Sequence, residues 1–362
     1  VELLRTVRLN TELKTMLDEA VGVGADGRPK SPSAETLALL QERRFDSTAP
    51  PPKIRPVYSL NGIVIATPGN LVAITAGIKT GKTAVIGAMA ASPMTKSHTA
   101  DMLGFTSTNP KAFGLLHFDT EQSRDDHWRQ GNCILKRAGL SDRPPWFHSY
   151  CLTGLDFGQA LECIREAIQQ ARKAHEGIHS VLLDGVADLV PDVNDPSYSN
   201  RFVAELHALA IDLDCPIIGA MHFNPGGDKL RGHLGSQLER KAETNLRLDK
   251  AADGVTTIWS DKQRRAPIPK STGPCFQWND KASMHVTVKT RQASKEEAEK
   301  EELTVLAEEV FAGRAAMRSS ELQATVRISL KVSPSTAERK VRRMRQLRVI
   351  KKTAAGFYTL AT

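Results

Sequence analysis

No stretch of the 362 residues is long and apolar enough to cross a bilayer: the best candidates, 181–190 and 211–221, are broken by Asp and fall short of the roughly 18 residues a span needs. The first residues carry Glu2, Arg5, Arg8, Glu12 and Lys14 in place of the apolar core of a signal peptide. A cytoplasmic protein is expected, and the missing initiating Met suggests trimming. The five cysteines (Cys133, Cys151, Cys163, Cys215, Cys275) show neither CxxC nor Cys/His ligand spacing, which argues against a disulfide framework or a zinc module. They read as reduced, buried thiols. Internal repeats and long low-complexity tracts are also lacking.

The charge that is present is unevenly placed. From 303 to 362 there are 12 Lys and Arg against 4 Asp and Glu, so the whole net charge of +8 sits there. A compact basic tail on a neutral body points to a polyanion, nucleic acid first. The length leaves room for about two domains. Residues 1–57 read as a helical arm, with patterns over 3–20 and 32–43, the second capped by Ser31 with Pro32 at the first helical position. The arm ends in an extended linker containing Pro50, Pro51 and Pro52. Over 58–291 apolar strand-like runs alternate with helical segments, the pattern of an α/β domain with a mostly parallel sheet flanked by helices. Residues 292–302 read as a charged helix or linker, and 303–362 as a small basic domain.

Within the α/β region the strand-like run 71–75 leads into Ala76-Gly77-Ile78-Lys79-Thr80-Gly81-Lys82-Thr83, and a small-residue helix opens at Ala84. This is a phosphate-binding loop in its required setting, with Ala in the first slot and Gly77 behind it as a possible source of backbone freedom. Its N–H groups would wrap the phosphates, Lys82 would bind the β and γ phosphates, and Thr83 would ligate Mg2+. A second strand ends in Asp119 and Glu121. Glu121 is the candidate general base for an attacking water, its bland alternative being a cap for the helix near Ser123. A third ends in Asp184, expected to hold Mg2+ through water. The fourth, 216–221, ends at His222 and opens a Gly-rich loop with Lys229, Arg231 and His233, basic enough to follow a nucleic-acid backbone or simply a solvated loop. Two further strands, 244–249 and 255–260, lead to Lys262 and Arg264. No NKxD-like guanine motif occurs, so ATP is the expected nucleotide.

The order AGIKTGKT, DTEQ, VLLD, a polar residue before a Gly-rich loop, and a strand followed by KQR resembles the RecA-like superfamily over 58–291. Within it the pattern is similar to the hexameric helicase ATPases of the DnaB and plasmid RepA type. The resemblance implies that Glu121 is the catalytic base and that His222 senses the γ phosphate, His at that place favouring the RepA-like branch. It also implies that Lys229 and Arg231 line a channel for single-stranded DNA. Lys262 and Arg264 would serve the neighbouring copy's nucleotide, so the active form would be a homo-oligomer, a hexameric ring, and a lone monomer a poor ATPase.

The tail reads as helices over 303–311, 319–330 and 335–347, the last opened by a capping box at Ser335 and Glu338, then a hairpin over 349–360. That order resembles a winged helix. Val341, Met344 and Leu347 would face inward, leaving Arg339, Lys340, Arg342, Arg343 and Arg345 to reach duplex DNA. A helicase or translocase of replication or of a mobile element is one expectation. An ATP-switched regulator or initiator, or a RecA-like recombination protein, is the alternative.

Overall fold

The computed structural model describes residues 32–50, 53, 55–97, 99–223 and 232–361. The chain parts into two compact units, Val1–Lys53 and Ile54–Thr362. The described part of the first unit holds one helix, α1 (Ala34–Glu42). It starts two residues later than the sequence implies, because Ser33 takes the extended conformation of a cap and its Oγ accepts the Thr36 N–H at 3.1 Å. The expected helix over 3–20 lies outside the described residues, as do Ser31, Pro51 and Pro52.

In the second unit, β1 (Tyr58–Leu60), β2 (Ile63–Ala66) and β4 (Phe105–Thr106) make a small antiparallel sheet. The main sheet contains β3 (Leu71–Ala76), β5 (Gly114–Asp119), β6 (Phe147–Cys151), β7 (Ile178–Asp184), β8 (Ile217–His222) and β9 (Thr244–Lys250). It is completed by β10 (Thr256–Gln263), β11 (Cys275–Asn279) and β12 (Met284–Val288). The order is β12-β11-β10-β9-β3-β8-β7-β5-β6. The six strands from β9 to β6 are parallel, and β10, β11 and β12 add an antiparallel edge.

The continuous apolar runs follow from burial on both faces. In β3, Val72, Ile74 and Ala76 join one core with Val85, Ile86 and Met89 of α2 (Lys82–Ala91) and Ile134 of α3 (Arg124–Ala138). Leu71 and Ala73 point the other way. They meet Ile164 and Ile168 of α4 (Phe157–His175), Phe202 of α5 (Pro196–Asp212) and Leu238 of α6 (Gly232–Lys241).

The tail has its own core, built from α7 (Arg291–Phe311), α8 (Ser319–Leu330), α9 (Pro334–Gln346) and the hairpin of β13 (Ile350–Lys352) with β14 (Tyr358–Leu360). Two details differ from expectation. The charged segment 292–302 is no loose linker but the first half of α7, capped by Thr290. α9 begins at Pro334 with Ser333 as its cap, since Pro suits the first helical position and Ser333 Oγ accepts the Thr336 N–H at 3.3 Å. Ser335 is therefore inside the helix, and no capping box forms there. Val341 and Met344 are buried as expected, with Leu347 packed partly buried beside them.

All five cysteines are free, but only Cys215 and Cys275 are buried. Cys163 lies on the exposed face of α4, so the expectation of uniformly buried thiols fails there. Among the described residues no helix is long and apolar enough to cross a membrane. Met344 is wholly buried among the helices of the tail. Met344→Ala should cost about 2–5 kcal/mol of tail stability, read as earlier loss of hydrogen-exchange protection over 319–346 in a urea series.

Candidate active site

Parallel strands send their carboxyl ends to one edge, and there the structure gathers four of the sequence-predicted groups. Ala76 closes β3, Asp119 β5, Asp184 β7 and His222 β8. The loop after β3 turns through positive φ at Lys79 (58°) and Gly81 (96°) and opens α2 with no side-chain cap, so its first N–H groups stay free for an anion. Gly77 is not in the left-handed region, so the backbone freedom expected of it belongs to Gly81. A Cβ at Gly81 would sit 2.8 Å from the Phe276 ring, so both conformation and space demand Gly there. Side chains of the antiparallel edge brace the same loop. Thr256 Oγ1 donates to Thr80 O at 3.1 Å, and Thr80 Oγ1 donates to Gly77 O at 2.8 Å.

Lys82 is buried, and its Nζ lies 2.7 and 2.8 Å from the two ring nitrogens of His222. His222 Nε2 is in turn 3.1 Å from Glu121 Oε2. A ring that accepts at Nδ1 and donates from Nε2 satisfies both contacts. Burial lowers the Lys82 pKa, against the opposing pull of Glu121 and Asp184.

The three acids divide their work. Asp119 is buried, and its Oδ1 accepts the N–H groups of Glu121 and Gln122, each at 3.0 Å. Its Oδ2 lies 3.3 Å from His127 Nδ1. Burial would raise its pKa, but these bonds, with His117 nearby, win and lower it. Asp119 thus shapes the turn, and Glu121, with 31% of its side chain exposed, is left at the site's edge. Glu121 does not cap α3: Ser123 does, accepting the Asp126 N–H at 3.1 Å. Thr120 pins the turn from behind, donating to Gly185 O and to Asp188 Oδ2, each at 2.9 Å.

Asp184 stands beside Asp119 in register across β5 and β7. Burial and then the Asp119 charge push its pKa up to about 7, with Glu121 adding and Thr83 and Lys82 opposing. Neither carboxylate oxygen has a well-formed hydrogen bond. Orphaned buried oxygens next to the Thr83 hydroxyl suit a hard divalent cation, and Mg2+ needs only one or two protein ligands when phosphates and water supply the rest.

Other predicted residues lie elsewhere. Lys229 and Arg231 are outside the described residues, and His233 falls on α6. Lys262 is inside β10, not beyond its end, because the strand continues to Gln263. β10 runs opposite to β9, and Gln263 pairs with Thr244 while Ala76 neighbours Leu248. Lys262 and Arg264 therefore sit at the far end of the sheet, about 13 Å of strand from the phosphate loop. In the tail, Lys340 pairs with Glu302 at 3.2 Å, and Arg343 with Glu299 at 2.8 Å. These two face α7 and not an open groove, a correction to the expected set. Arg342 holds only an exposed pair with Glu338, and Arg339 and Arg345 are exposed. Sequence reading missed Phe276, Thr256 and His127, which no motif marks.

A folded Asp184 that titrates near 7 binds its proton more tightly than an unfolded one near 3.8. Its contribution to stability is therefore lost as pH rises through that window. Without nucleotide or divalent cation, Asp184→Asn should be more stable than the wild type at pH 8, by on the order of 2–4 kcal/mol. The difference should vanish near pH 4, as urea denaturation at the two pH values would show.

A family model described as an AAA domain matches residues 32–228, more than half of the chain. No curated protein matches it. With a glycine-turned phosphate loop at the end of a buried parallel strand and an acid closing the strand two places away, this chain belongs to the AAA domain family and is an AAA-type P-loop ATPase.

Proposed function

We propose that the protein is an ATP-hydrolysing, DNA-binding motor of the helicase or translocase kind, working as an oligomer, six copies in a ring by its resemblance to RepA and DnaB. The observation that carries this reading is the separation of its parts. Lys82, Thr83, Asp184, Glu121 and His222 stand at one end of the sheet and the exposed Lys262 and Arg264 at the other, away from their own phosphate loop and open to the nucleotide of another copy.

In this reading the N–H groups from Gly77 to Ala84 and the Lys82 ammonium hold the phosphates of ATP. Thr83 and Asp184 would hold Mg2+, which would supply neutralisation of the phosphate charge. Glu121 orients the attacking water and takes its proton, and the Asp119 turn fixes where that carboxylate stands. His222, in contact with both Lys82 and Glu121, links the γ-phosphate position to the Gly-rich sequence that follows it with Lys229 and Arg231, the proposed grip on single-stranded DNA.

The tail supports a second reading. Three helices with their own core and a hairpin, presenting Arg339, Arg342 and Arg345, make a winged-helix-like module suited to duplex DNA. An ATP-switched regulator or initiator would need that module and no unwinding. RecA-like recombination shares the site and not the tail.

The deciding measurement is ATP hydrolysis with and without single-stranded DNA over a range of protein concentrations. For a motor, the rate rises with DNA and steeply with concentration, Lys82→Ala abolishes it, and Arg264→Ala lowers it by about 10²-fold or more while nucleotide still binds. A slow rate indifferent to DNA and to Arg264 sinks the motor and leaves the switch. For the tail, Arg339→Ala and Arg345→Ala should each weaken duplex binding and reduce the salt slope by about one. Lys340→Ala should change that slope less, because its charge is already matched by Glu302.

A further inference from the structure

The far end of the sheet contains a buried ion pair that catalysis at the phosphate loop does not explain. Glu243, just before β9, has a side chain only 1% exposed and accepts from Arg265 Nη1 at 2.8 Å. It also accepts the Thr67 N–H at 2.6 Å and the Thr67 hydroxyl at 3.0 Å. Its main chain is bound on both sides: its N–H donates to Leu71 O at 2.9 Å and its carbonyl accepts the Arg264 N–H at 3.0 Å. Arg264 Nη1 reaches Asn70 Oδ1 at 3.2 Å, and Asn70 Nδ2 donates to Thr67 Oγ1 at 3.0 Å. A buried carboxylate is costly unless fully paired, so the pair by itself argues little for added stability, and in some proteins such pairs serve to fix geometry. Here the geometry specified is that of residues 262–265.

A second feature bears on the same residues. The pairing of β10 with β9 slips between Ser260 and Lys262, leaving Asp261 as the extra residue of a bulge. Bulges re-aim the side chains that follow. Lys262, directly after this one, pairs through its main chain with Asn245, and its exposed side chain has no hydrogen bond or ion pair among the described residues. The strand end is thus bent at Asp261 and clamped at Arg265, with Lys262 and Arg264 held between the two devices.

We infer that Glu243, through its ion pair with Arg265, is the positioning residue that holds Lys262 and Arg264 of one copy in place for the phosphates of a nucleotide bound by a neighbouring copy. The inference rests on the shared-site reading above. Glu243 touches no substrate. It acts only through the strand end that it anchors.

The test is complementation in mixed oligomers. Glu243→Gln keeps an acceptor for Thr67 but removes the charge that holds Arg265. Its hydrolysis rate should fall about 10- to 100-fold, as expected for misplaced phosphate-binding groups, with nucleotide affinity and assembly measured in parallel and unchanged. Mixed with Lys82→Ala, which is inactive but has an intact strand end, it should hydrolyse ATP well above either alone, because the Lys82→Ala copies supply the ordered Lys262 and Arg264. Arg264→Ala mixed with Lys82→Ala should behave the same way, and Arg265→Lys should retain more activity than Arg265→Ala.

If Arg264→Ala is rescued but Glu243→Gln runs at the wild-type rate, the positioning role is overturned. The same follows if Glu243→Gln is slow and Lys82→Ala does not rescue it, since the lesion then lies in its own site. If Arg264→Ala itself hydrolyses at the wild-type rate, the shared-site reading fails and takes this inference with it.

Discussion

Parallel strands cannot be joined by tight turns, and that constraint organises the molecule. The parallel strands β3, β5, β6, β7, β8 and β9 must be joined by crossovers, so each starts at one edge and delivers its last residue to the other. Burial of both faces fills the strands largely with Val, Ile, Leu and Ala, with a few buried polar residues such as His117 and Ser180 inside them, and the acids Asp119 and Asp184 stand at the tips. Lys82, Asp119, Glu121, Asp184 and His222 are close neighbours because they follow or close strands that lie side by side. The antiparallel β10 breaks the rule, and its polar end emerges at the opposite edge. One topological difference thus puts Lys262 and Arg264 at the edge of the sheet opposite the phosphate loop.

The electrostatics of the tips are as uneven as the topology is regular. Asp119 and Asp184 sit in register on adjacent strands, yet one carboxyl is driven down in pKa and the other up. The difference is hydrogen bonding: Asp119 spends its oxygens on two backbone N–H groups and His127, while Asp184 has almost none. A fully bonded buried carboxylate is a structural part. An unbonded one is a vacancy in the charge balance that a divalent cation can fill, and its neighbour Thr83 comes from the same loop that would hold the phosphates.

Much of this was legible in the sequence because strand tips and phosphate loops obey local rules. AGIKTGKT after an apolar run, VLLD, and DTEQ each place a polar group at the end of a buried strand, and the structure places them so. What was illegible is pairing between distant segments. Nothing near Gly81 foretells that Phe276, nearly two hundred positions away, occupies the space a side chain would need. No motif in the sequence marks Glu243, because its partners Thr67 and Arg265 are brought to it only by the sheet. Choosing Ser335 over Ser333 as a cap was a local error, since Pro334 after Ser333 was itself the better start signal.

The division of charge along the chain shows the same limit. A cut at 303 gives a tail of +8 on a neutral body, but α7 begins at Arg291 and packs its acidic first half against α9. From 291 to 362 there are 15 basic and 9 acidic side chains, a net charge of +6. The lost charge matters less than its position. Glu296, Glu299 and Glu302 recur every three residues on one face of α7 and meet Lys340 and Arg343, which recur every three on α9. Matched ladders of this kind fix the rotation of α9 about its axis. With one basic face paired to α7 and Val341 and Met344 in the core, Arg339, Arg342 and Arg345 are the basic side chains of the helix that do not reach α7, so the acidic half of α7 divides the charge of α9 into a paired face and an exposed one.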